Sequence, residues 1–172
     1  MTRSRTITWH DPAEAAALAD GLPGLEILHR ISSGLIPAPP AAELVGFAPT
    51  YVMPGRVVFA YEPREEHYNT LGAVHGGILT TVLDTVMGCA VHSKLEAGIA
   101  PLTIELKTSF VRPVTLDSGV LRAEGRVVHP GSRVATAEAR LEGEDGTLYA
   151  HASSTWLIYD LAQKAHKEPL AA

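Results

Sequence analysis

The chain has 172 residues, of which 46% are hydrophobic and 19% charged, and its formal net charge is −5. This length suits one domain with a substantial hydrophobic core, and the composition excludes an intrinsically disordered chain. The acidic balance, without a long basic run, argues against nucleic acid or an anionic membrane as the main partner.

The cysteine content and the N-terminal sequence indicate the cellular location to expect. With Cys89 as its single cysteine, one chain can form neither an internal disulfide nor a cysteine-based metal cluster. The first ten residues lack the apolar core of a signal peptide, and no stretch of about 18 residues is apolar enough to span a membrane. We therefore expect a soluble cytoplasmic protein that binds no metal.

The N-terminal part of the chain predicts short helices. Asp11-Pro12 followed by Ala13–Leu18 is typical of a capped helix, and a second short helix is predicted over Leu25–Ser33. Prolines at positions 37, 39 and 40 then predict a linker. We interpret residues 1–40 as a helical extension, 41–160 as the main domain, and 161–172 as a C-terminal tail.

The main domain alternates between strand patterns and one helix pattern. Two strands, Leu44–Val52 and Arg56–Tyr61, precede a helix predicted over His75–Glu96. Four more strands follow, at Thr103–Val111, Val120–His129, Arg133–Leu141 and Thr147–Tyr159. Short strands joined by tight turns favour an antiparallel sheet. One long apolar helix needs a concave sheet to bury it, so we predict an α+β fold with the sheet wrapped around this central helix.

The predicted central helix is apolar over most of its circumference. Its apolar positions cover roughly 220° of the helical wheel; they are Ile78, Leu79, Val82, Leu83, Val86, Met87, Ala90 and Val91. So wide a stripe predicts a nearly buried helix. Gly88 would cost about 1 kcal/mol relative to alanine in a helix, which predicts the close approach of another backbone.

Asp84 is isolated on this helix. It is the only acidic residue between Glu66 and Glu96, and it lies at the edge of the apolar stripe. Because an unpaired carboxylate is costly to bury, Asp84 either has a partner or faces a cleft. One interpretation is a salt-bridged or exposed acid, and the other is a nucleophile or general base in a partly dry pocket.

His75 and Asp84 are too far apart to share one site within one chain. Nine residues place them about 13 Å apart along the helix axis and on opposite sides. If both are functional, Asp84 of one subunit meets His75-Gly76 of another, which predicts a dimer with two shared sites. Gly76 and Gly77 lie in the first turn, where free N–H groups suit an oxyanion hole. A tight loop-to-helix turn is the alternative reason for these glycines.

The segment His67–Asp84 carries a recognisable motif. It contains the pattern Asn-x-x-Gly-x-x-His-Gly-Gly, with an acid nine residues after the histidine. In this pattern the chain closely resembles the hotdog-fold thioesterases of the phenylacetate-degradation (PaaI-like) type. The stretches 103–113 and 125–131 also look like that family, and the resemblance covers roughly residues 25–159.

The resemblance implies a hotdog fold and hydrolysis of an acyl-CoA thioester at a dimer interface. The Gly76 amide would polarise the thioester carbonyl, and Asp84 of the facing subunit would attack it or activate water. By the same resemblance, Asn69 would position the nucleophile or the water. His75 would contact the thioester region or shape the loop, and Thr103 would orient water.

The resemblance also implies the partners. The substrate would be an aromatic or medium-chain acyl-CoA, with no separate cofactor because coenzyme A is part of the substrate. Candidate substrate-binding residues are Gly72, Gly77, Thr85, Arg112 and Arg133. The chain would form a dimer or a dimer of dimers. The alternatives are a hotdog dehydratase or hydratase and a non-catalytic acyl-CoA-binding protein, but the unbroken motif from Asn69 to Asp84 favours hydrolysis.

Overall fold

The computed structural model describes residues 1–162, so the predicted tail lies almost entirely outside the described residues. Four α-helices occur in this part of the chain: α1 (Pro12–Ala19), α2 (Gly24–Ser32), α3 (Pro40–Val45) and α4 (Gly76–His92). The strands are β1 (Phe47–Met53), β2 (Arg56–Tyr61), β3 (Ile99–Phe110), β4 (Leu121–His129), β5 (Val134–Glu142) and β6 (Leu148–Asp160). No helix within residues 1–162 is long and apolar enough to cross a lipid bilayer.

The six strands form one sheet in the order β1-β2-β4-β5-β6-β3, and every neighbouring pair is antiparallel. Helix α4 contacts all six strands. The predicted α+β architecture, an antiparallel sheet wrapped around a central helix with short N-terminal helices, is therefore confirmed. Helix α2 of the N-terminal extension packs on β1 and on α4.

The core lies between α4 and the inner face of the sheet. Seven residues of α4 are buried: Leu79, Val82, Leu83, Val86, Met87, Ala90 and Val91. On β5 the inward positions are small, with Ala135, Ala137 and Ala139 all buried. On β4 a methyl group at Gly125 would lie only 2.5 Å from the Val86 carbonyl oxygen. The helix backbone therefore rests directly on β4 at this glycine.

Three details differ from the sequence prediction. The first strand begins at Phe47 rather than Leu44, because Pro40 starts helix α3, and Gly46, with a φ of 78°, caps the end of this helix. Helix α4 ends at His92 rather than Glu96. The next residue, Ser93, caps this end with a hydrogen bond from its hydroxyl to the Ala90 carbonyl. The prediction that Gly88 meets another backbone is wrong, since its neighbour is the Trp156 side chain.

A buried carboxylate on the outer face of the sheet binds three arginine side chains. Glu124 is only 7% exposed and points away from α4, since its neighbours Ala123 and Gly125 occupy the inner face. It accepts hydrogen bonds from Arg56 (Nε to Oε1, 2.8 Å), Arg122 and Arg126. Burial alone would raise the pKa of Glu124, but the three guanidinium groups outweigh it and hold this pKa at about 2.

We predict that Glu124→Gln lowers the free energy of unfolding by about 2 kcal/mol at pH 7, because three arginines lose their ionised partner. The folded-state pKa lies below the ordinary value of 4.5, so this stability is fully present above about pH 5. It is lost as the pH falls toward 2. Denaturant unfolding at pH 7, 5, 4 and 3 should show the difference between variant and wild type shrinking with acidity.

The exposed Glu96→Gln variant serves as the matched control and should leave unfolding unchanged across this range. A difference for Glu124→Gln that is the same at pH 7 and pH 3 would contradict the assigned ionisation.

Candidate active site

The start of α4 leaves one backbone donor free. The His75 side chain caps the helix, with Nδ1 accepting from the Gly77 N–H at 2.9 Å. The His75 carbonyl accepts from the N–H groups of Ile78 (2.9 Å) and Leu79 (3.4 Å). Within residues 1–162 the Gly76 N–H has no acceptor. Of the amides in the first turn, Gly76 is therefore the one available to a ligand.

The loop before α4 is braced by Asn69. Its Oδ1 accepts from the N–H groups of Leu71 (2.8 Å) and Ala73 (3.4 Å), which closes a turn around Gly72. Gly72 has a φ of 78°, so the turn itself requires glycine there. In the structure, Gly72 therefore serves to let the backbone adopt this turn. The oxygen of Asn69 is occupied, while its NH₂ group donates to no atom of the described chain.

His67 anchors the same loop to the core. Its ring is buried, with Nδ1 2.9 Å from the Tyr61 hydroxyl, and its carbonyl accepts from the His75 N–H at 2.8 Å. Burial lowers the pKa of His67, which keeps the ring neutral. From the sequence, His67 was named only as the start of the motif segment, with no predicted role. The available signal was Tyr61 at the end of the apolar strand β2, since a buried tyrosine hydroxyl needs a hydrogen-bonding partner.

A cavity of about 450 Å³ opens beside Gly76. It brings together three predicted residues, Asn69, Gly76 and Arg112. Phe110 also lines it, and a methyl group at Gly76 would lie 2.9 Å from the Phe110 Cζ, so the ring covers this glycine. A larger cavity of about 590 Å³, lined in part by Arg122, contains none of the predicted residues.

Asp84 lies apart from this cavity, about 12 Å farther along the helix axis. It is half-buried, and its Oδ1 accepts a 3.0 Å hydrogen bond from the Thr103 hydroxyl of β3. Burial raises the pKa of Asp84, and the Thr103 hydrogen bond partly offsets that rise. Of the two possibilities left by the sequence, the structure gives Asp84 a hydrogen-bonding partner. A half-buried carboxylate with a raised pKa is a stronger base than an exposed aspartate, which suits a general base.

The remaining predicted residues divide between the two locations or lie outside both. The Gly77 N–H is already capped by His75, and the Thr85 hydroxyl donates to the Thr81 carbonyl at 2.8 Å. Arg112 donates from Nη1 to the Leu148 carbonyl, which holds its guanidinium near the cavity. Arg133 is exposed and lines neither location, so its role stays a prediction without geometric support.

Trp156 of β6 was missed by the sequence analysis. It is 4% exposed, it pairs with Thr103 across β6 and β3, and its ring lies against Gly88. The strand alternation that buries Ala152, Ser154 and Trp156 on one face was the signal that could have identified it.

Known proteins with similar sequences point to one family. Residues 71–150, which include Asp84 and Thr103, match the thioesterase superfamily. A protein of Saccharolobus solfataricus, named for an inferred esterase activity, is 34% identical over 104 residues, or 60% of this chain and 72% of that protein. Human acyl-coenzyme A thioesterase 13 is 26% identical over 68 residues, or 40% of this chain and 48% of the human protein.

A solved structure extends the similarity to the fold. It belongs to a phenylacetic acid degradation-related protein from Ralstonia eutropha JMP134 that is assigned as a thioesterase. The two chains are 31% identical, and the alignment covers 76% of this chain and 98% of that one, with a TM-score of 0.69. The resemblance to PaaI-like hotdog proteins and the hotdog fold expected from the motif are thereby confirmed.

We predict that Thr103→Val raises the pKa of Asp84 further, because burial then acts on the carboxyl group without the opposing hydrogen bond. Carbon-13 NMR titration of the Asp84 carboxyl measures this directly. Thr155→Val is the matched control, since the Thr155 hydroxyl bonds Glu105 at 3.3 Å on the other face of the sheet. An Asp84 pKa that is equal in Thr103→Val and wild type would contradict the assigned contact.

Proposed function

The chain belongs to the thioesterase superfamily, and we propose that it hydrolyses acyl-CoA thioesters to free acid and coenzyme A at a site shared by two subunits. The observation that carries this proposal is the Asp84–Thr103 pair. A half-buried carboxylate, held by one hydroxyl and raised in pKa, is the group that thioester hydrolysis needs as nucleophile or general base.

The edge of the sheet supports the shared site. Strand β3 is twelve residues long and pairs only with β6 among the described strands. Leu102 and Ile104, which flank Thr103, are 52% and 55% exposed. A long edge strand with apolar side chains is a surface that a second chain can cover. A second copy bound there would bring its own residues to the Asp84–Thr103 pair.

The free Gly76 amide supplies the complementary half. It lies about 12 Å from Asp84 along the same helix, so one chain does not aim both groups at one carbonyl. In the proposed dimer, the Gly76 N–H of one subunit donates to the carbonyl oxygen as negative charge develops on it. Asp84 of the other subunit attacks the carbonyl carbon, or takes a proton from the water that does.

In both routes one water is consumed. The carbon–sulfur bond breaks, the acyl group leaves as the acid, and coenzyme A leaves as the thiol. Asn69 lines the cavity beside Gly76, and its NH₂ group, which donates to no atom of residues 1–162, orients the attacking water or the carboxylate. His75 shapes the loop through its cap on Gly77, and Arg112 at the same cavity suits a phosphate of coenzyme A.

The central test is Asp84→Asn. We expect turnover of acyl-CoA substrates to fall by a factor on the order of 10³, because the amide neither attacks nor accepts a proton. Burial raises the Asp84 pKa in the folded state, so its stability contribution is greatest at low pH and falls as the pH rises through that pKa. The variant should therefore melt at the same temperature or higher at pH 7. Free-thiol release over aromatic and medium-chain acyl-CoA substrates, beside thermal unfolding, measures both effects.

The exposed Asp117→Asn variant serves as the control for loss of a negative charge and should retain wild-type turnover. Full activity of Asp84→Asn would refute the role of Asp84. If the wild type binds acyl-CoA but releases no thiol from any substrate, the protein is instead an acyl-CoA-binding protein. Hydration of an enoyl-CoA without thiol release would identify the dehydratase or hydratase alternative.

A second test removes the Gly76 N–H. Proline is tolerated at the first position of a helix, and His75 has the extended conformation that proline requires before it. We expect Gly76→Pro to lower turnover about 100-fold through loss of the oxyanion donor. Gly76→Ala is the matched control, since it meets the same Phe110 ring but keeps the N–H, and it should lose much less activity.

Mixed dimers then report where the site lies. Asp84→Asn and Gly76→Pro subunits carrying different affinity tags can be co-expressed and purified as heterodimers. If the site crosses the interface, each heterodimer keeps one intact site and has about half of the wild-type activity. A heterodimer as inactive as its parents would contradict the shared site, as would a fully active monomer in light scattering.

A further inference from the structure

A tryptophan ring packs against the helix one turn after Asp84. A methyl group at Gly88 would lie 2.6 Å from Cη2 and 2.9 Å from Cζ3 of Trp156. Carbon atoms do not approach that closely without a shift of one element. Helix α4 and strand β6 therefore reach their observed separation only because position 88 carries no side chain.

The ring has little freedom to move away. Trp156 is buried, and its Nε1–H donates to the Ser154 hydroxyl at 2.5 Å. The Ser154 hydroxyl in turn donates to the Met87 sulfur at 3.2 Å, and both of these side chains are buried. Rotating the indole would break this buried chain of hydrogen bonds, whose groups would then be left unsatisfied.

The same ring is adjacent to the candidate catalytic pair. Gly88 follows Asp84 by four residues, so the two share one face of α4. Trp156 pairs with Thr103 across the sheet, so their side chains point to the same side. The contacts Asp84–Thr103 and Gly88–Trp156 thus run side by side between one helix and two neighbouring strands.

Two glycines, Gly125 on β4 and Gly88 on α4, mark two contacts between the helix and the sheet. At Gly125 of β4 the helix backbone rests directly on the strand, near Val86. At Gly88 the thickness of the Trp156 ring separates the helix from β6. The ring therefore sets the distance from α4 to β6 and β3 at the point where the Thr103 hydroxyl has to reach the Asp84 carboxylate.

We infer that Trp156, seated on Gly88, is a positioning residue that holds Asp84 within hydrogen-bonding distance of Thr103. The inference rests on the proposed role of Asp84 in thioester hydrolysis. Its structural part, the dependence of the Asp84–Thr103 contact on the ring, can be measured without turnover.

The first variant is Gly88→Ala. Alanine has a higher helix propensity than glycine, so local stability alone predicts no loss. We expect the added methyl group to push α4 away from the ring and to break the Asp84–Thr103 hydrogen bond. The kcat for acyl-CoA hydrolysis should then fall ten- to a hundred-fold with KM nearly unchanged. The acidic limb of the pH profile should move to higher pH, because burial then raises the Asp84 pKa unopposed.

The decisive variant is Gly88→Ala combined with Trp156→Phe. Phenylalanine lacks the outer ring of the indole, which carries the atoms that the new methyl group would meet. The double variant should recover most of the lost kcat, and its pH profile should return toward that of the wild type. This rescue separates positioning from a general loss of packing, because two independent packing defects would add. Trp9→Phe, at an exposed tryptophan, is the control and should match the wild type.

Carbon-13 titration of the Asp84 carboxyl distinguishes failure of this inference from failure of the proposed function. If the wild type hydrolyses no thioester, the proposed function fails, but the Asp84 pKa should still rise in Gly88→Ala and return in the double variant. Equal kcat and equal Asp84 pKa in the wild type and Gly88→Ala would overturn the inference, as would a folded double variant without rescue. If Gly88→Ala does not fold, Trp156→Phe alone tests the inference, and an unchanged Asp84 pKa there would overturn it.

Discussion

The rest of this structure depends on one constraint, which is that a single sheet has to cover a helix that is apolar around most of its circumference. Helix α4 contacts all six strands, and its seven buried side chains form the centre of the core. Small inward residues on β5 and Gly125 on β4 let the helix lie close to the middle of the sheet. A methyl group at Gly125 would meet the helix backbone, so over β4 the position of α4 is set by direct contact of main chains.

The candidate site lies at the edges of the region where the sheet covers helix α4. Along α4 the apolar stripe is interrupted at its edge by Asp84, and across the sheet the last strand is β3, with Thr103 on it. At its N-terminus the helix leaves only the Gly76 amide unpaired within the described chain. Both polar elements therefore occur at boundaries of the same packed unit, about 12 Å apart along the helix axis. In the proposed dimer, a second copy of the chain would supply the other half of each site.

Much of the fold and part of the site follow from patterns in the sequence. The period of two in the strands and the wide apolar stripe of the helix predict the sheet and its central helix, and burial confirms both. The sequence patterns gave wrong or no predictions where the structure depends on contacts between residues far apart in the chain. Helix α3 begins at Pro40, where the prolines predicted a linker, and the neighbour of Gly88 is a ring from 68 positions later in the chain. The Thr103 contact depends on the register of β3 against β6, including the irregularity after Thr103, which no local pattern encodes.

The environment of Asp84 combines two opposing effects. Burial raises its pKa, which makes the carboxylate a better proton acceptor, but burial alone would favour the neutral acid, which neither attacks nor accepts a proton. The Thr103 hydroxyl favours the ionised form and limits the rise. The balance requires a hydrogen bond at the right distance, and this distance is set by how closely α4 approaches β3 and β6. In the proposed mechanism, packing between Gly88 and Trp156 would therefore bear on the chemistry, because a shift of the helix that lengthens the Asp84–Thr103 hydrogen bond would raise the pKa of the carboxyl group further.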